Sequence, residues 1–489
     1  MTDGGQLAHG VPLPRPELLT ALASQTVYVT LFGATRRPLG DRTAIVDGGE
    51  RLSYADLDDR ITTAAGRLET LGIDEGDSVA LVSRNRIEVL VSMLAVWRVG
   101  GVFAPVSHRL TPATVSRPME QIDPDLVLFE SAQRDLVRQF DARSFEEFEH
   151  VTPADFSAVE RADADTQLLV HTEDGERVVE LSKRAVEWNC RTATAGWGLG
   201  RNDCTIALLP LSRPDCLLGF ALPLLAVGGR VVLRRAFDPD DAVTAIEDHG
   251  VTCLVAAPTE FRELADAGFE GSAPALDWLA ARGRVPPEVR EGLPIPPVHV
   301  YGRAETGVNV LRETPGSGAV AYPFPNCGVR IEGEGSGDLL VRGPTTATGY
   351  LDGEAFEEWV SMGDVFRHGS SARPDATDSR GFVPVGDGDD DASETGGQRV
   401  HPRAVETVLE SHPDVREVGI VEAVAETGGT APKAVVVGDV PPGALREFAE
   451  ERLEPHEVPR AIEPAASLPR RPSGELDRAA LRERFMTWE

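Results

Sequence analysis

Near its C-terminus the chain reads PRRPSGELDRAALRERF (469–485). A Pro-Ser-Gly corner presents one acid, Glu475, ahead of a short amphipathic stretch with arginines along it. Such a carboxylate is either a functional tip or a first-turn acid, which favours the helix dipole by about 0.3–1 kcal/mol. The spacing favours the helix start. A second stretch, LLVHTEDGERVVELSKRAV (168–186), can be tested for phosphate chemistry. A phosphate cradle needs backbone N–H groups, hydroxyls and glycines that let the chain approach the anion. Thr172 and Gly175 supply one hydroxyl and one glycine, but Glu173, Asp174 and Glu176 stand where a polyanion would rest. Two like charges about 4 Å apart repel by roughly 4 kcal/mol at an effective dielectric near 20. The stretch therefore predicts a plain hairpin with Asp174-Gly175 as its turn, and Lys183, beyond it, reads as a surface residue. Two further acids, Glu305 in VYGRAETG (300–307) and Asp364 in WVSMGD (359–364), read on residue type alone as solvated loop acids. The five cysteines (Cys190, Cys204, Cys216, Cys253 and Cys327) form no CxxC pair. They predict buried free thiols in a reducing, cytoplasmic compartment rather than disulfides or a zinc site.

Composition narrows the partners. Acids outnumber bases 79 to 48, for a formal charge of −31 and a pI near 4.7. Lys183 and Lys433 are the only lysines, so the basic residues are almost all arginine. A field this negative repels nucleic acid and anionic membrane and keeps a protein soluble. The acids are spread along the chain apart from the local run DGDDD (387–391), which points to a halophile's cytosol, where 1 M salt screens charges beyond about 3 Å. No run of eighteen uncharged apolar residues occurs, so no membrane span is expected, and the N-terminus lacks a basic leader followed by an apolar run.

The elements that must position these residues follow from periodicity. At 489 residues the chain is too long for one ordinary core. In RLSYADLDDRITTAAGRLETLGI, Leu57, Ile61, Ala64, Leu68 and Leu71 recur at helical spacing. The run SVALVS, the helix-like RIEVLVSMLAVWRVGG and the strand VFAPVS follow, and Thr111-Pro112 then reads as a helix start. GRVVLRR, DPDDAVTAIEDHG, VTCLVAAP, TEFRELADAG and VHVYG repeat the alternation, which predicts an α/β fold of parallel sheets wrapped by helices. From about 326 to 385 the texture turns β-rich and glycine-rich. The polar stretch GDGDDDASETGG (386–397) is the linker candidate, and 398–489 reads as a small α+β domain after a large domain spanning 1–385.

Seven strings in order now carry a resemblance: LAVWRVGGVFAPVSHRLT (94–111), LPLSRPD (209–215), VYGRAETG (300–307), GDLLVRGPTTATGY (337–350), WVSMGD (359–364), GGQRVHPRAVETVLESHPDV (396–415) and LPRRPSGELDRAALRE (468–483). Together they resemble the adenylate-forming superfamily of acyl- and aryl-CoA synthetases over roughly residues 35–485. The resemblance implies a large domain binding ATP and an acyl group, and a small C-terminal domain that swings about a hinge. The implied reaction joins a carboxylate to AMP with loss of pyrophosphate and then passes the acyl group to CoA.

The resemblance also assigns roles. Tyr301 and Gly302 match the nucleotide-binding string, and Glu305 matches the acid that helps hold Mg²⁺, with Ala304 where a hydroxyl residue is usual. Asp364 matches the aspartate that holds the ribose hydroxyls, with Met362 in place of a threonine. Arg213 sits near where many members carry histidine, and AARGR (280–284) stands at the strand end that adenine approaches. At the hinge, Asp389 matches the family acid, while Asp387 replaces a ribose-binding arginine. The loop between Thr172 and Ser182 is about three residues short of the family's phosphate loop. Glu475 replaces the lysine that reaches the substrate carboxylate and the phosphate during adenylation. Two expectations stand side by side: a divergent ATP-dependent acyl-CoA synthetase, and a non-catalytic relative binding an acyl group, an AMP-like fragment or a protein partner. A subunit completed by an active homologue is a third.

Overall fold

Ser53 accepts a hydrogen bond from the Asp56 N–H while the Asp56 carboxylate accepts from the Ser53 N–H, a reciprocal cap that starts helix α1 (Tyr54–Thr70). Leu57, Ile61, Ala64 and Leu68 then fall on its buried face, as their spacing predicts. The structure is a computed structural model. It describes residues 40–485 except 111, 113–114, 173–176, 272, 284, 286, 314–319, 334–335, 370–380, 388–392, 396–397, 401, 411, 413, 425–429, 451–452, 454–457 and 471–475.

Two compact units emerge: Met1–Ala236 with Phe324–Asn326, and Phe237–Pro323 with Cys327–Glu489. The first carries β1 (Thr43–Asp47), β2 (Glu50–Ser53), β3 (Ser78–Val82), α2 (Ile87–Arg98), β4 (Val102–Val106), α3 (Ser116–Ile122), β5 (Leu126–Phe129), β6 (Ala142–Ser144), β7 (Thr166–His171), β8 (Val178–Ser182), α4 (Lys183–Trp197), β9 (Cys204–Ala207) and β10 (Arg230–Leu233). One sheet runs β8-β7-β4-β3-β5-β6, parallel except for the β7–β8 hairpin, and another runs β9-β10-β1-β2, parallel except for β1–β2. The strands β3, β4 and β5 are buried almost throughout, as parallel strands covered on both faces must be. The helix expected from Thr111-Pro112 begins later, at Ser116. Pro118 provides the first-turn proline, where the missing N–H has no intrahelical partner to lose. Thr111 itself lies outside the described residues.

The second unit continues the alternation with α5 (Pro239–His249), β11 (Cys253–Ala256), α6 (Pro258–Asp266) and β12 (Trp278–Ala281). It then turns to strands: β13 (Val298–Arg303), β14 (Gly307–Glu313), β15 (Ala321–Pro323), β16 (Gly328–Ile331), β17 (Ser336–Arg342), β18 (Gly349–Tyr350), β19 (Val360–Gly369) and β20 (Gly381–Asp387). These form the sheet order β16-β17-β19-β20-β15-β14-β13-β12-β11, parallel from β11 to β13 and antiparallel beyond. The β-rich texture after 326 corresponds to β16–β20, whose core is Leu339, Val341, Met362 and Phe366. Within the linker candidate, β21 (Ser393–Thr395) pairs with β22 (Gln398–Val400). Beyond it lie α7 (Pro402–Glu410), β23 (Val415–Val424), β24 (Thr430–Gly438), α8 (Pro442–Glu450), β25 (Ala461–Pro464) and α9 (Arg478–Phe485). The sheet β23-β24-β25 packs Val418, Ile420 and Val436 against Val405 and Leu409 of α7 and Leu445 of α8. This is the small α+β layer the sequence predicts.

All five cysteines are buried, and none forms a disulfide. Burial pushes the Cys190, Cys216 and Cys327 thiols up to about 12, so they stay protonated and inert. No helix among the described residues is long and apolar enough to cross a membrane.

Candidate functional site

The strings that hold Tyr301, Glu305 and Asp364 meet in the second unit through one arginine and one methionine. β13 and β14 form a hairpin whose last pair is Arg303 with Gly307. The Arg303 N–H donates to Thr306 Oγ1 at 3.2 Å and closes the turn that presents Glu305. A Cβ on Gly302 would lie 2.4 Å from the Gly307 carbonyl oxygen, so no side chain fits there without separating the strands. From this turn Arg303 reaches β19, where Nη1 donates to the Met362 carbonyl at 2.8 Å. Gly363 sits at φ +72°, and a Cβ there would fall 2.6 Å from the same Nη1. Glycine is needed on both counts. Met362 is buried, with its sulfur 3.2 Å from Thr306 Oγ1. A threonine would be shorter than this contact requires, so the methionine fills space that joins the two strings.

Each acid has a defined setting. The Glu305 carboxylate accepts from the Tyr350 hydroxyl at 3.1 Å, and its carbonyl accepts from the Ala347 N–H at 2.9 Å. Thr345 Oγ1 donates to the Thr306 carbonyl at 3.2 Å, so the segment 345–350 braces the Glu305 turn. Asp364 follows Gly363 on β19, half-buried, in register with Asp387 at the end of β20. The Tyr301 hydroxyl donates to Glu313 at 2.9 Å, and its ring lies 4.3 Å from His299 and 5.4 Å, edge-on, from Phe366. Its orientation is thereby fixed. At the end of β12, Arg282 donates to the carbonyls of Val300 and Val308, tying the AARGR strand end to the β13–β14 hairpin. Gly283 takes φ +118° beside Pro258.

The first unit, described by itself, holds two more of the strings singled out in the sequence. The predicted hairpin forms: β7 and β8 pair from Thr166–Ser182 to His171–Val178, and the Thr172 N–H donates to the Arg177 carbonyl at 2.8 Å. Thr172 Oγ1 accepts from the Arg177 N–H at 3.1 Å, so this hydroxyl helps close the hairpin. The Ser107 N–H donates to His171 Nε2 at 3.0 Å, which leaves the proton on Nδ1, bonded to the Thr172 carbonyl at 2.8 Å. Lys183 is less exposed than the surface residue expected: its side chain is 19% exposed and its ammonium lies between Asp163 at 3.5 Å and Glu187 at 3.6 Å. Gly175, Asp389 and Glu475 lie outside the described residues.

The second piece is LPLSRPD, held by a residue that the sequence reading did not single out. Asn85, after β3, is buried; its Nδ2 donates to the carbonyls of Ala207 at 3.2 Å and Leu209 at 2.9 Å, while Oδ1 accepts from the Leu211 N–H at 2.7 Å. Arg213, on this loop, pairs with Asp215 at 3.1 Å. Beside Asn85, Arg84 grips Glu130 with Nε at 3.1 Å, Nη2 at 2.6 Å and its backbone N–H at 3.1 Å. Burial would raise the Glu130 carboxyl, but these donors and the positive charge more than offset it and hold it below the usual range. Next to them His108 is pushed down to about 4, first by burial and then by Arg109 and Arg84, so it stays neutral near pH 7.

A profile of the AMP-binding enzyme family matches residues 33–179 and 177–351, and one of the AMP-binding enzyme C-terminal domain matches residues 404–475. The 2-succinylbenzoate–CoA ligase of Bacillus licheniformis is 28% identical over 472 residues, covering 90% of this chain and 96% of that protein. The corresponding ligase of Bacillus cytotoxicus is 27% identical over 477 residues, covering 91% and 96%. Among solved structures, ATP-bound MatB from Rhodopseudomonas palustris superposes with a TM-score of 0.80 at 21% identity, covering 93% of this chain and 98% of that one. The o-succinylbenzoate CoA synthetase of Bacillus subtilis, in complex with its acyl-adenylate intermediate, gives 0.78 at 21% identity, covering 96% and 98%.

Proposed function

The chain belongs to the AMP-binding enzyme family, and from that premise we propose that it is a divergent acyl- or aryl-CoA synthetase whose site takes the adenylate end of the reaction better than Mg·ATP. The observation that carries this is the junction of Arg303, Thr306 and Met362, which locks the Glu305 turn to the Asp364 strand. In this reading ATP supplies the adenylyl group, Mg²⁺ neutralises phosphate charge and CoA accepts the acyl group. The donor set fits part of that list. Asp364 is an acceptor suited to ribose hydroxyls, the fixed Tyr301 ring suits the base, and Glu305 is a hard oxygen ligand of the kind Mg²⁺ takes. The substrate is a small carboxylic acid, the class named for the Bacillus relatives.

The triphosphate is served less well. Thr172 spends its hydroxyl on closing the β7–β8 hairpin, and the sequence places Glu173, Asp174 and Glu176 at its tip. Asp387 and Glu475 add negative charge where the family carries positive. These same features support a second reading, a non-catalytic member that binds an acyl-adenylate, a nucleotide fragment or a protein partner, such as an active homologue.

Asp364→Ala tests the adenylate reading. It should weaken binding of AMP and of a non-hydrolysable acyl-adenylate by roughly 10-fold or more, the range for hydrogen bonds to a charged group. The melting temperature should change little, because Asp364 is only half-buried on its strand. Unchanged nucleotide affinity in this variant would remove Asp364 from the site.

A further inference from the structure

Resting on that reading, we propose that Arg303 binds the phosphate of the adenylate, one arginine on β13 standing in for cations that the site lacks elsewhere. Arg303 ends β13, and its N–H bond to Thr306 fixes the turn that carries Glu305. Its guanidinium spends Nη1 on the Met362 carbonyl at 2.8 Å. Nε and Nη2 make no hydrogen bond or ion pair among the described residues. The side chain is exposed yet tethered, which costs it rotamer freedom. The backbone makes room for it. A Cβ at position 363 would fall 2.6 Å from Nη1, and glycine at φ +72° avoids that clash. A guanidinium anchored through one nitrogen, with donors of its planar fork left over, is preorganised for an oxyanion.

The neighbours select which anion. Asp364 suits ribose hydroxyls, and the Tyr301 ring, fixed by Glu313 and Phe366, suits the base. Arg303 joins the two: it follows Tyr301 on β13 and bonds the β19 residue two before Asp364. The group that ribose carries at its 5′ carbon is the phosphate. Glu305 and Asp364 are acids in a chain of charge −31, so an anion brought here without a cation would be repelled. Residues 173–176 and 475 supply no positive charge. One guanidinium can balance the single charge of an acyl-adenylate phosphodiester, and most of that of AMP, but not that of a triphosphate. The order of affinities proposed above then follows from the charge of each ligand.

Titration of the full chain with adenosine and with AMP, in molar KCl, tests this. The unmodified protein should bind AMP roughly 10- to 100-fold tighter than adenosine, the range for hydrogen bonds to a charged group. Arg303→Gln keeps a donor for the Met362 carbonyl and removes the charge. It should bring the AMP preference to within about twofold, while adenosine affinity also changes by less than about twofold. Arg303→Lys keeps the charge and loses the fork; it should cut the preference about threefold, and it serves where the glutamine variant does not fold. A residue that only braced the Glu305 turn would weaken adenosine and AMP alike. That result, a preference untouched by both variants, or equal binding of adenosine and AMP by the unmodified protein would overturn the phosphate role while leaving the adenylate reading intact. If neither adenosine, AMP nor a non-hydrolysable acyl-adenylate binds, the adenylate reading itself fails and this inference fails with it.

Discussion

Glu475→Lys alone is expected to leave ATP–pyrophosphate exchange at background. The lysine restores one electrostatic contact, and a contact of that kind contributes about 10²–10³-fold when the substrate is already held in place. On the proposed reading the triphosphate lacks that hold. The Thr172 hydroxyl closes its hairpin on Arg177, and acids occupy 173, 174 and 176. Positioning contributes as much as charge, because a misaligned reactant forfeits the advantage of proximity. Grafting a Thr/Ser/Gly-rich, lysine-bearing loop between Thr172 and Ser182 together with Glu475→Lys should therefore raise exchange by at least about 10²-fold over either change alone. Exchange from the single substitution would show that the hairpin already cradles phosphate. Glu475→Ala should leave any native function unchanged, and a large loss would make that glutamate a working residue.

Arg84→Ala is expected to destabilise the first unit by about 3–5 kcal/mol, the cost of stranding one partner of a buried pair. The Glu130 side chain is only 5% exposed and takes three donors from Arg84, two of them on the side chain. Removing the guanidinium leaves a buried carboxylate with only the Arg84 N–H at 3.1 Å and a long contact from the Ser83 hydroxyl at 3.5 Å. The pH dependence has a definite sign. Glu130 is held below its ordinary value in the folded protein, so it contributes stability above the unfolded-state value, and that contribution is lost as pH falls through the folded value. In the variant, burial dominates and the acid titrates higher. The gap between the two proteins should therefore narrow as pH falls from 7 towards 4, read by urea denaturation at each pH. A cost under about 1 kcal/mol, as for an exposed pair, or a gap independent of pH, would contradict this account.

Much of this was legible in the sequence because it depends on periodicity and on glycine. The face of α1, the buried parallel strands and the β-rich change after 326 follow from which residues must leave water. Gly302 and Gly363 stand out in their strings, and the structure shows why no side chain fits either place. The antiparallel pairing of β7 and β8 was readable from a lone glycine among acids between two apolar runs. What escaped were contacts between segments far apart in the chain. Arg303 reaches Met362 across 59 positions and Asn85 reaches Leu209 across 124, and nothing in the local pattern of either residue signals its partner. By residue type alone Met362 counts as a missing threonine, whereas its value lies in the volume it fills. The start of α3 was misplaced because Thr111-Pro112 carries the same cap signature that Pro118 fulfils from inside the first turn.

The most direct test of the central claim is titration calorimetry of the full chain with Mg·ATP, AMP and a non-hydrolysable acyl-adenylate, in molar KCl to screen a charge of −31. The account predicts that the adenylate mimic binds tightest, that AMP follows, and that Mg·ATP binds at least about 10-fold more weakly than AMP, as the proposed reading requires with Asp364 and Tyr301 serving the nucleoside and the acids Glu173, Asp174 and Glu176 opposing the β and γ phosphates. Micromolar Mg·ATP affinity, with pyrophosphate released when a carboxylic acid is added, would contradict it and make the chain an ordinary ligase of its family.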